Sequence, residues 1–487
     1  MDHLFNIMIM ITSSSRIQNK YMFHKLTPIY DIIIQEEQKN MKNFRDKLYK
    51  KFSATQIFVL SFCIIILLGS ILLSLPICND LKPAPYLDNL FTATSATCVT
   101  GLVTLTTATQ FNMLGQFIIM CLIQVGGLGL MTFIAIFLIS INRKLKYQEK
   151  LALQGYLNKD DLSNFNHYLI MIYKYTFIIE LAGALLLMIR FIPEYGYPRG
   201  IFNSIFLSIS AFCNAGFDTI GSTSLVIYAT DYYINIIIMV LIILGGLGFI
   251  VWFEITSLYK THKSLSLHTR IVLITTLLLI ISGTVFFFIF EYDHTLANYS
   301  LFDKLFISLF QSITYRTAGF ASIDFAASSR VTKLIACFYM FIGGSSGGCA
   351  GGIKTTTIVL IIMSIKTLIV NGGKHFHIFK KQIANDLIYR SYVIFSLYLA
   401  VIMIDSIILF ASETIETMPL LFEIFSALGT VGLTCSVTTS LSIVGKIVII
   451  FTMLIGRVGP ISILLVFSKQ NGKDIMYRYP NERVLIG

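Results

Sequence analysis

Ser95-Ala96-Thr97-Cys98-Val99-Thr100-Gly101-Leu102 is one of four related stretches in this chain. The others are Ser210-Ala211-Phe212-Cys213-Asn214-Ala215-Gly216-Phe217, Ile313-Thr314-Tyr315-Arg316-Thr317-Ala318-Gly319-Phe320 and Ser426-Ala427-Leu428-Gly429-Thr430-Val431-Gly432-Leu433. Each closes on glycine followed by Leu or Phe, and the glycines Gly101, Gly216, Gly319 and Gly432 stand 115, 103 and 113 residues apart. A second mark keeps step with the first. Gly126-Gly127-Leu128-Gly129, Gly245-Gly246-Leu247-Gly248, Gly343-Gly344 and Gly456-Arg457-Val458-Gly459 begin 25, 29, 24 and 24 residues after those glycines. Self-similarity at a fixed long period means one structural unit used repeatedly.

Every unit reads alike on either side of its glycine. An apolar span comes first. A short amphiphilic stretch follows, too short to cross a bilayer: Tyr86–Thr97, Ile201–Phe212, Leu301–Thr314 and Pro419–Leu428. Then come the glycine segment, a polar connector and a second apolar span. Apolar runs of the roughly 20 residues that a bilayer requires stand out at Gln56–Ile77, Phe117–Ile141, Tyr233–Tyr259, Ile271–Phe290 and Tyr392–Phe410. The expected fold is an all-α membrane protein of four pseudo-repeats, each a span, a pore half-helix, a filter loop and a span, with eight transmembrane spans around a central pore. The expected boundaries are an N-terminal extension over 1–51, repeats over 52–142, 143–262, 263–372 and 373–470, and a tail over 471–487.

Composition agrees with a chain lying mostly in lipid. Of its 487 residues 55% are hydrophobic and 13% charged, where a soluble protein carries about 25% charged residues. The net charge of +11 could suggest nucleic acid or acidic lipid, but its placement argues for neither. Of the 37 Lys and Arg, 25 fall before residue 52, in 142–165, 260–270 and 366–385, and after 468. That pattern orients a membrane protein, with the basic segments and both termini cytoplasmic. The apolar patch Ile7–Ile11 is too short to span, and no cleavable signal peptide is apparent. The eight cysteines, among them Cys63, Cys121 and Cys337, show no CxxC pair or Cys/His ligand spacing and read as buried thiols. No metal cluster, nucleophile motif or dinucleotide fingerprint suggests an enzyme.

Non-helical backbone is tolerated at membrane depth only where it is buried or lines a water-filled cavity. Four short helices that enter and return as loops meet that condition if the loops converge on one axis. Their carbonyl oxygens can then replace the water shell of a cation. Glycine accepts positive φ and lets successive carbonyls turn to the same side. The half-helices also aim their negative ends inward, which favours cations.

The third unit's second span differs from the others. Val331–Ile342 is apolar, Gly343–Gly352 holds six glycines and Thr355–Val370 is apolar again. Glycine costs a helix about 1 kcal/mol relative to alanine, so a mobile loop beneath the filter is expected, and only this second span is expected to be strongly broken. The run Gly351-Gly352-Ile353-Lys354-Thr355-Thr356 is not a phosphate-binding loop, because Ile353 separates the glycine from Lys354. Arg457 stands where the other units carry Gly127, Gly246 and Gly344. A charge at membrane depth is functional by default, and here it is expected either to project toward the pore as an electrostatic barrier or to pair with a carboxylate. Lys354 is expected to anchor the loop's far end through carbonyls or an acid. Glu180 and Asp405, within apolar spans, read as sodium-coupling groups or as members of ion pairs. Arg316 is expected to brace the third filter.

These residues resemble the Trk/Ktr/HKT superfamily of potassium transporters, over about Lys51 to Gly487. Arg316-Thr317-Ala318-Gly319-Phe320 and Gly351–Thr356 carry the resemblance, and Tyr477-Arg478-Tyr479-Pro480-Asn481-Glu482-Arg483-Val484-Leu485-Ile486-Gly487 resembles the tail of the Ktr branch's membrane subunit. The extension lacks the two further spans of TrkH-type members. The resemblance implies potassium as substrate, held by carbonyls of Val99, Thr100, Gly101, Asn214, Ala215, Gly216, Thr317, Ala318, Gly319, Thr430, Val431 and Gly432. Some sodium-selective plant relatives have serine at the first filter position, so Gly101 favours potassium. The implied gate comprises Gly343, Gly344, Ser345, Ser346, Gly347, Gly348, Gly351, Gly352 and Lys354, with Arg457. The resemblance further implies sodium as coupling or activating ion and no covalently bound cofactor. It implies a homodimer in a bacterial plasma membrane, docked on a cytosolic KtrA-type ring that binds ATP or ADP. A TrkH-type or sodium-coupled alternating-access carrier is the alternative. Carriers show inverted repeats with breaks in corresponding helices, whereas these repeats run the same way.

Overall fold

The structure, a computed structural model, describes residues 54–129, 165–221, 223–261, 264–372 and 376–467. The N-terminal extension, the basic connector ahead of residue 165 and the tail lie outside the described residues. The chain divides into two compact units, Met1–Ile57 and Phe58–Gly487. The second holds everything discussed below apart from the first four residues of the first helix.

Helices account for nearly all regular structure among the described residues. The first unit contributes α1 (Ala54–Leu73), α2 (Tyr86–Cys98) and α3 (Met113–Leu128). The second contributes α4 (Phe165–Tyr195), α5 (Arg199–Cys213), α6 (Tyr232–Leu247) and α7 (Phe249–Thr261). The third contributes α8 (Leu267–Glu291), α9 (Leu301–Thr314), α10 (Arg330–Phe341) and α11 (Thr355–Asn371). The fourth contributes α12 (Asn385–Ser412), α13 (Thr417–Gly429), α14 (Ile443–Val458) and α15 (Pro460–Phe467). A two-stranded antiparallel ribbon pairs His377–Ile378 with Lys381–Gln382 between units three and four.

Among the described residues four helices, α1, α8, α12 and most of α4, are long and apolar enough to cross a bilayer, and up to six spans result if each bent pair counts as one. The eight-span plan is consistent with this, since α3 runs into residues outside the description and the third unit's second span is split into α10 and α11. One expectation fails. The second spans of units two and four are also broken, with α6 and α7 bent by 96° and α14 and α15 by 99°. The hinges are Gly248 (φ +91°) and Gly459 (φ +90°), and α3 ends on Gly129 at φ +79°. Such backbone is open to glycine and strained for other residues.

The units interlock in a ring. The second span of each packs on the half-helix of the next: α3 on α5, α6 on α9, α10 on α13, and α14 back onto α2. The glycine pairs allow this approach. A Cβ at Gly126, Gly245 or Gly456 would overlap the carbonyl of Thr97, Phe212 or Leu428 in its own unit's half-helix, and one at Gly127 would lie 2.8 Å from Cys213 Cβ of the next unit.

An ion pair closes the ring where unit four meets unit one. Lys446 Nζ lies 2.6 Å from Asp88 Oδ1, with side chains 17% and 9% exposed. Removing one partner of a largely buried pair costs about 3–5 kcal/mol, much of it from the charge left behind. Lys446→Met should therefore lower the thermal unfolding midpoint in detergent by several degrees. Asp88→Asn/Lys446→Met should recover most of that loss. A double variant as unstable as the single would mean that packing, not charge, holds this seam.

Candidate functional site

Half-helices α2, α5, α9 and α13 end at one place. Their termini share a conformation that sequence alone does not display. Val99, Asn214, Thr317 and Thr430 sit at φ +58°, +60°, +67° and +51°, and two residues later Gly101, Gly216, Gly319 and Gly432 sit at φ +96°, +67°, +79° and +91°. Two left-handed residues separated by one other set the course of each strand, and the first of each pair is not glycine.

Serine holds that course in three units. In units one and four Ser95 and Ser426 each make two bonds. The carbonyls accept from Thr100 N and Val431 N at 2.8 Å, and the hydroxyls accept from Gly101 N and Gly432 N at 3.0 Å. Ser210 does the same with Ala215 N at 2.8 Å and Phe217 N at 3.0 Å. Unit three has Ile313 at this position. There Thr314 Oγ1 donates to Phe320 O at 2.7 Å. The serine recurs in three of the four aligned segments, which is the signal that could have marked it.

The four strands close into a ring. A Cβ on Gly101 would lie 2.6 Å from Ala215 O, one on Gly216 2.8 Å from Gly319 Cα, and one on Gly319 2.5 Å from Val431 O. One on Gly432 would overlap Thr100 O and sit 2.9 Å from Gly101 Cα. The order is one, two, three, four and back to one. The hydroxyls of Thr100 and Thr430, wholly buried in the same strands, have no donor or acceptor among the described residues.

On one side of the ring lies a cavity of about 300 Å³ whose lining includes all four filter glycines. Its charged lining residues are Asp218 and Asp324. Acid without base focuses cations. Burial pushes the Asp218 carboxyl up to about 6, opposed by bonds from Ile220 N, Gly221 N and Ser224. A carboxyl so raised is charged above that pH and neutral below it. Cation uptake should therefore fall about threefold as external pH drops from about 7.5 to about 5.5. The Asp218→Asn variant should show a lower, flatter profile. Superimposable pH profiles would remove Asp218 from ion attraction.

On the other side lies the glycine loop between α10 and α11. Its neck is tied by Gly343 N to Ile353 O at 2.8 Å and Thr355 N to Gly344 O at 3.2 Å. It reaches unit two through Ser345 N to Gly246 O at 3.1 Å, Cys349 N to Gly245 O at 3.2 Å and Phe249 N to Gly347 O at 3.0 Å, and Ser345 Oγ donates to Leu247 O. Ser346 Oγ lies 3.4 Å from Thr356 Oγ1. Toward unit four, a Cβ on Gly351 would lie 2.9 Å from Thr430 Cγ2, and one on Gly352 3.2 Å from Gly429 O. Gly348 packs on Gly248, at 3.1 Å by the same measure. The loop expected to be mobile makes these contacts on two flanks. It meets the start of unit four's filter strand at Gly429 and Thr430, whereas the cavity is lined by the far ends of the strands.

Arg457 completes this side. Its guanidinium donates to Cys349 O in the loop, and to Gly126 O and to Gly127 O (3.2 Å) in unit one. Its partners among the described residues are carbonyls, not a carboxylate. Lys354 Nζ donates to Ala350 O at 2.7 Å. Arg316 is buried, and its guanidinium meets Thr276 Oγ1 at 3.3 Å in α8 rather than the filter strand itself. Glu180 accepts from Gln124 Nε2 at 3.1 Å and lies 3.8 Å from Cys213 Sγ. Asp405 accepts from Thr452 Oγ1 at 2.8 Å. Neither acid has a cationic partner among the described residues, so the ion-pair reading of both gives way to hydrogen-bonded carboxylates. Six of the cysteines are buried, Cys63 is half-buried and Cys121 exposed, and all are free thiols. No group of three His, Cys, Asp or Glu among the described residues could hold a metal.

Residues 27–479 match the model of the family TrkH, described as cation transport protein. The chain is 38% identical to the potassium/sodium uptake protein NtpJ of Enterococcus hirae over 454 residues, 92% of this chain and 100% of the relative. It is also 38% identical to the Ktr system potassium uptake protein B of Bacillus subtilis over 447 residues, 91% of this chain and 99% of the relative. Among solved structures, the potassium transporter TrkH from Vibrio parahaemolyticus shares the fold at a TM-score of 0.66 and 19% identity, covering 85% of this chain and 86% of that one.

Proposed function

We infer potassium uptake across the bacterial plasma membrane from a plain premise: the chain belongs to the TrkH family of cation transport proteins. The names of the Enterococcus and Bacillus relatives supply the ion. The carrying observation is the closed ring of four filter strands, each at the negative end of a half-helix, open to an acid-lined cavity. A potassium ion leaving its water at the ring meets backbone carbonyls of the four filter strands. That is a donor set of neutral oxygens, suited to a weakly hydrated monovalent cation. The glycine loop and Arg457 act as the gate on the cytoplasmic side.

The protein works as a subunit of KtrB type, in a homodimer with one pore per copy and both termini cytoplasmic. A cytosolic nucleotide-binding ring controls it, and sodium stimulates it. The word system in the Bacillus relative's name and the word sodium in the Enterococcus relative's name support these two features.

The test is potassium uptake by cells lacking their own high-affinity uptake, with and without external sodium. Expression of this chain should restore growth at low potassium and saturable rubidium or potassium uptake. Protein present in the membrane without uptake above the empty-vector level, with a cytosolic ring subunit co-expressed, would sink the reading.

A further inference from the structure

Just outside the glycine ring stands a second ring that the four units do not share equally. Two residues past each filter glycine are Val103, Asp218, Ala321 and Thr434, all lining the cavity and all half-buried. Units one and three thus contribute an apolar diagonal, and units two and four a polar one. Behind Thr434 lies Glu423 of α13, wholly buried. Its carboxylate accepts from Thr434 Oγ1 at 2.9 Å and from Thr438 Oγ1, and no Lys, Arg or His among the described residues pairs with it. Nine residues before the filter glycine, as Glu423 is, the other units carry Thr92, Leu207 and Phe310. Packing alone is therefore served there without a charge. While Glu423 is ionised its carboxylate only accepts hydrogen bonds, so the proton of Thr434 then points back to Glu423. The Thr434 oxygen accepts from Val437 N at 3.3 Å. Thr438 also approaches it, at 3.0 Å, but its single proton goes to Glu423 in the shorter contact. One lone pair of Thr434 is left for the cavity.

Resting on the uptake reading above, we propose that Glu423 is a positioning residue for the outer mouth. Its buried carboxylate fixes the Thr434 hydroxyl so that an oxygen lone pair faces the partly dehydrated monovalent cation about to pass the glycine ring. Thr434 takes the place of a departing water opposite Asp218. A neutral amide at 423 can donate as well as accept, so it frees the Thr434 proton to turn outward, where it repels the cation.

The test is the kinetics of potassium uptake in intact cells, with the amount of each variant in the membrane measured in parallel. Thr434→Val should raise KM about tenfold with the maximal rate within about twofold of wild type, since only an interaction with the arriving ion is removed. Thr434→Ser should restore KM. Glu423→Gln should raise KM by a similar factor, and Glu423→Gln/Thr434→Val should be no worse than either alone, because both act through one oxygen. An unchanged KM in Thr434→Val, or additive effects in the double variant, would overturn the proposal. If Glu423→Gln fails to reach the membrane, Thr434→Val and Thr434→Ser decide it by the same criteria. Absent wild-type uptake overturns the uptake reading and this one with it, whereas normal wild-type uptake with an unmoved KM in Thr434→Val overturns this one alone.

Discussion

Gly101→Ser is expected to transport potassium slowly and to lose at least about tenfold of its preference for potassium over sodium. The reason is positional. Gly101 lies at φ +96°, where an L side chain costs about 1–2 kcal/mol. The new Cβ would stand 2.6 Å from Ala215 O and 3.0 Å from Gly216 Cα. The obstacle is backbone of the neighbouring filter strand, which cannot rotate aside as a side chain can. The joint between units one and two must open or tilt, and the number and direction of carbonyl dipoles around the ion change with it. Selectivity by such a ring depends on those quantities, and about 1.4 kcal/mol of lost discrimination is a factor of ten. The serine hydroxyl also places a small oxygen ligand in the ring that a sodium ion can use. Gly221→Ala serves as the control, since a Cβ there meets nothing within 4 Å, and its preference should match wild type. Competitive uptake of the two ions in one membrane preparation measures the ratio. A Gly101→Ser protein present at wild-type level with its preference intact would mean that the ring does not select.

The sequence displays some of this site and conceals the rest for physical reasons. Leu301–Thr314, read as a half-helix, is a helix over those same residues, because a dipole-capped amphiphilic stretch between a serine and a glycine segment carries its own boundaries. The breaks at Gly248 and Gly459 are invisible to hydropathy, since one glycine leaves an apolar run unbroken while the helix axis turns through a right angle. Their signal lay in the second mark: Gly129, Gly248 and Gly459 all stand three residues after its first glycine. Phe165–Tyr195 is not a clean apolar run because Lys174, Glu180 and Arg190 interrupt it, and Glu180 and Arg190 are met by Gln124 and Asp231. The left-handed residue at Val99, Asn214 and Thr430 is the C-cap of its half-helix, closed by bonds from Thr100 N, Ala215 N and Val431 N to carbonyls five residues back, and Val and Thr do not signal it because glycine or asparagine is the usual residue there. Glu423 reads as an ordinary charged residue until Thr434 and Thr438 are seen to surround it.

Arg457→Gln is expected to raise the potassium uptake rate about tenfold or more while the protein accumulates normally. Two effects act in the same direction. The guanidinium holds Cys349 O of the loop together with Gly126 O and Gly127 O of unit one, so it clasps the loop against the unit farthest from it in sequence. Hydrogen bonds from a charged donor contribute about 1.5–3 kcal/mol each, and glutamine can replace at most part of the set. The charge itself also opposes a cation below the filter. At a separation of about 8 Å and an effective dielectric of about 20, that repulsion is about 2 kcal/mol. Arg457→Lys separates the two effects, because lysine keeps the charge but loses the planar fork. If the barrier is the charge, the lysine protein should behave as wild type; if it is the clasp, it should behave as the glutamine protein. Cys349 gives an independent reading of loop position, since it is wholly buried while the clasp holds. In a background with Cys63 and Cys121 replaced by alanine, a cytoplasmic thiol reagent should label Cys349 in Arg457→Gln far faster than in wild type. An Arg457→Gln protein with unchanged uptake and an equally protected Cys349 would show that flow is controlled elsewhere than at the loop between α10 and α11.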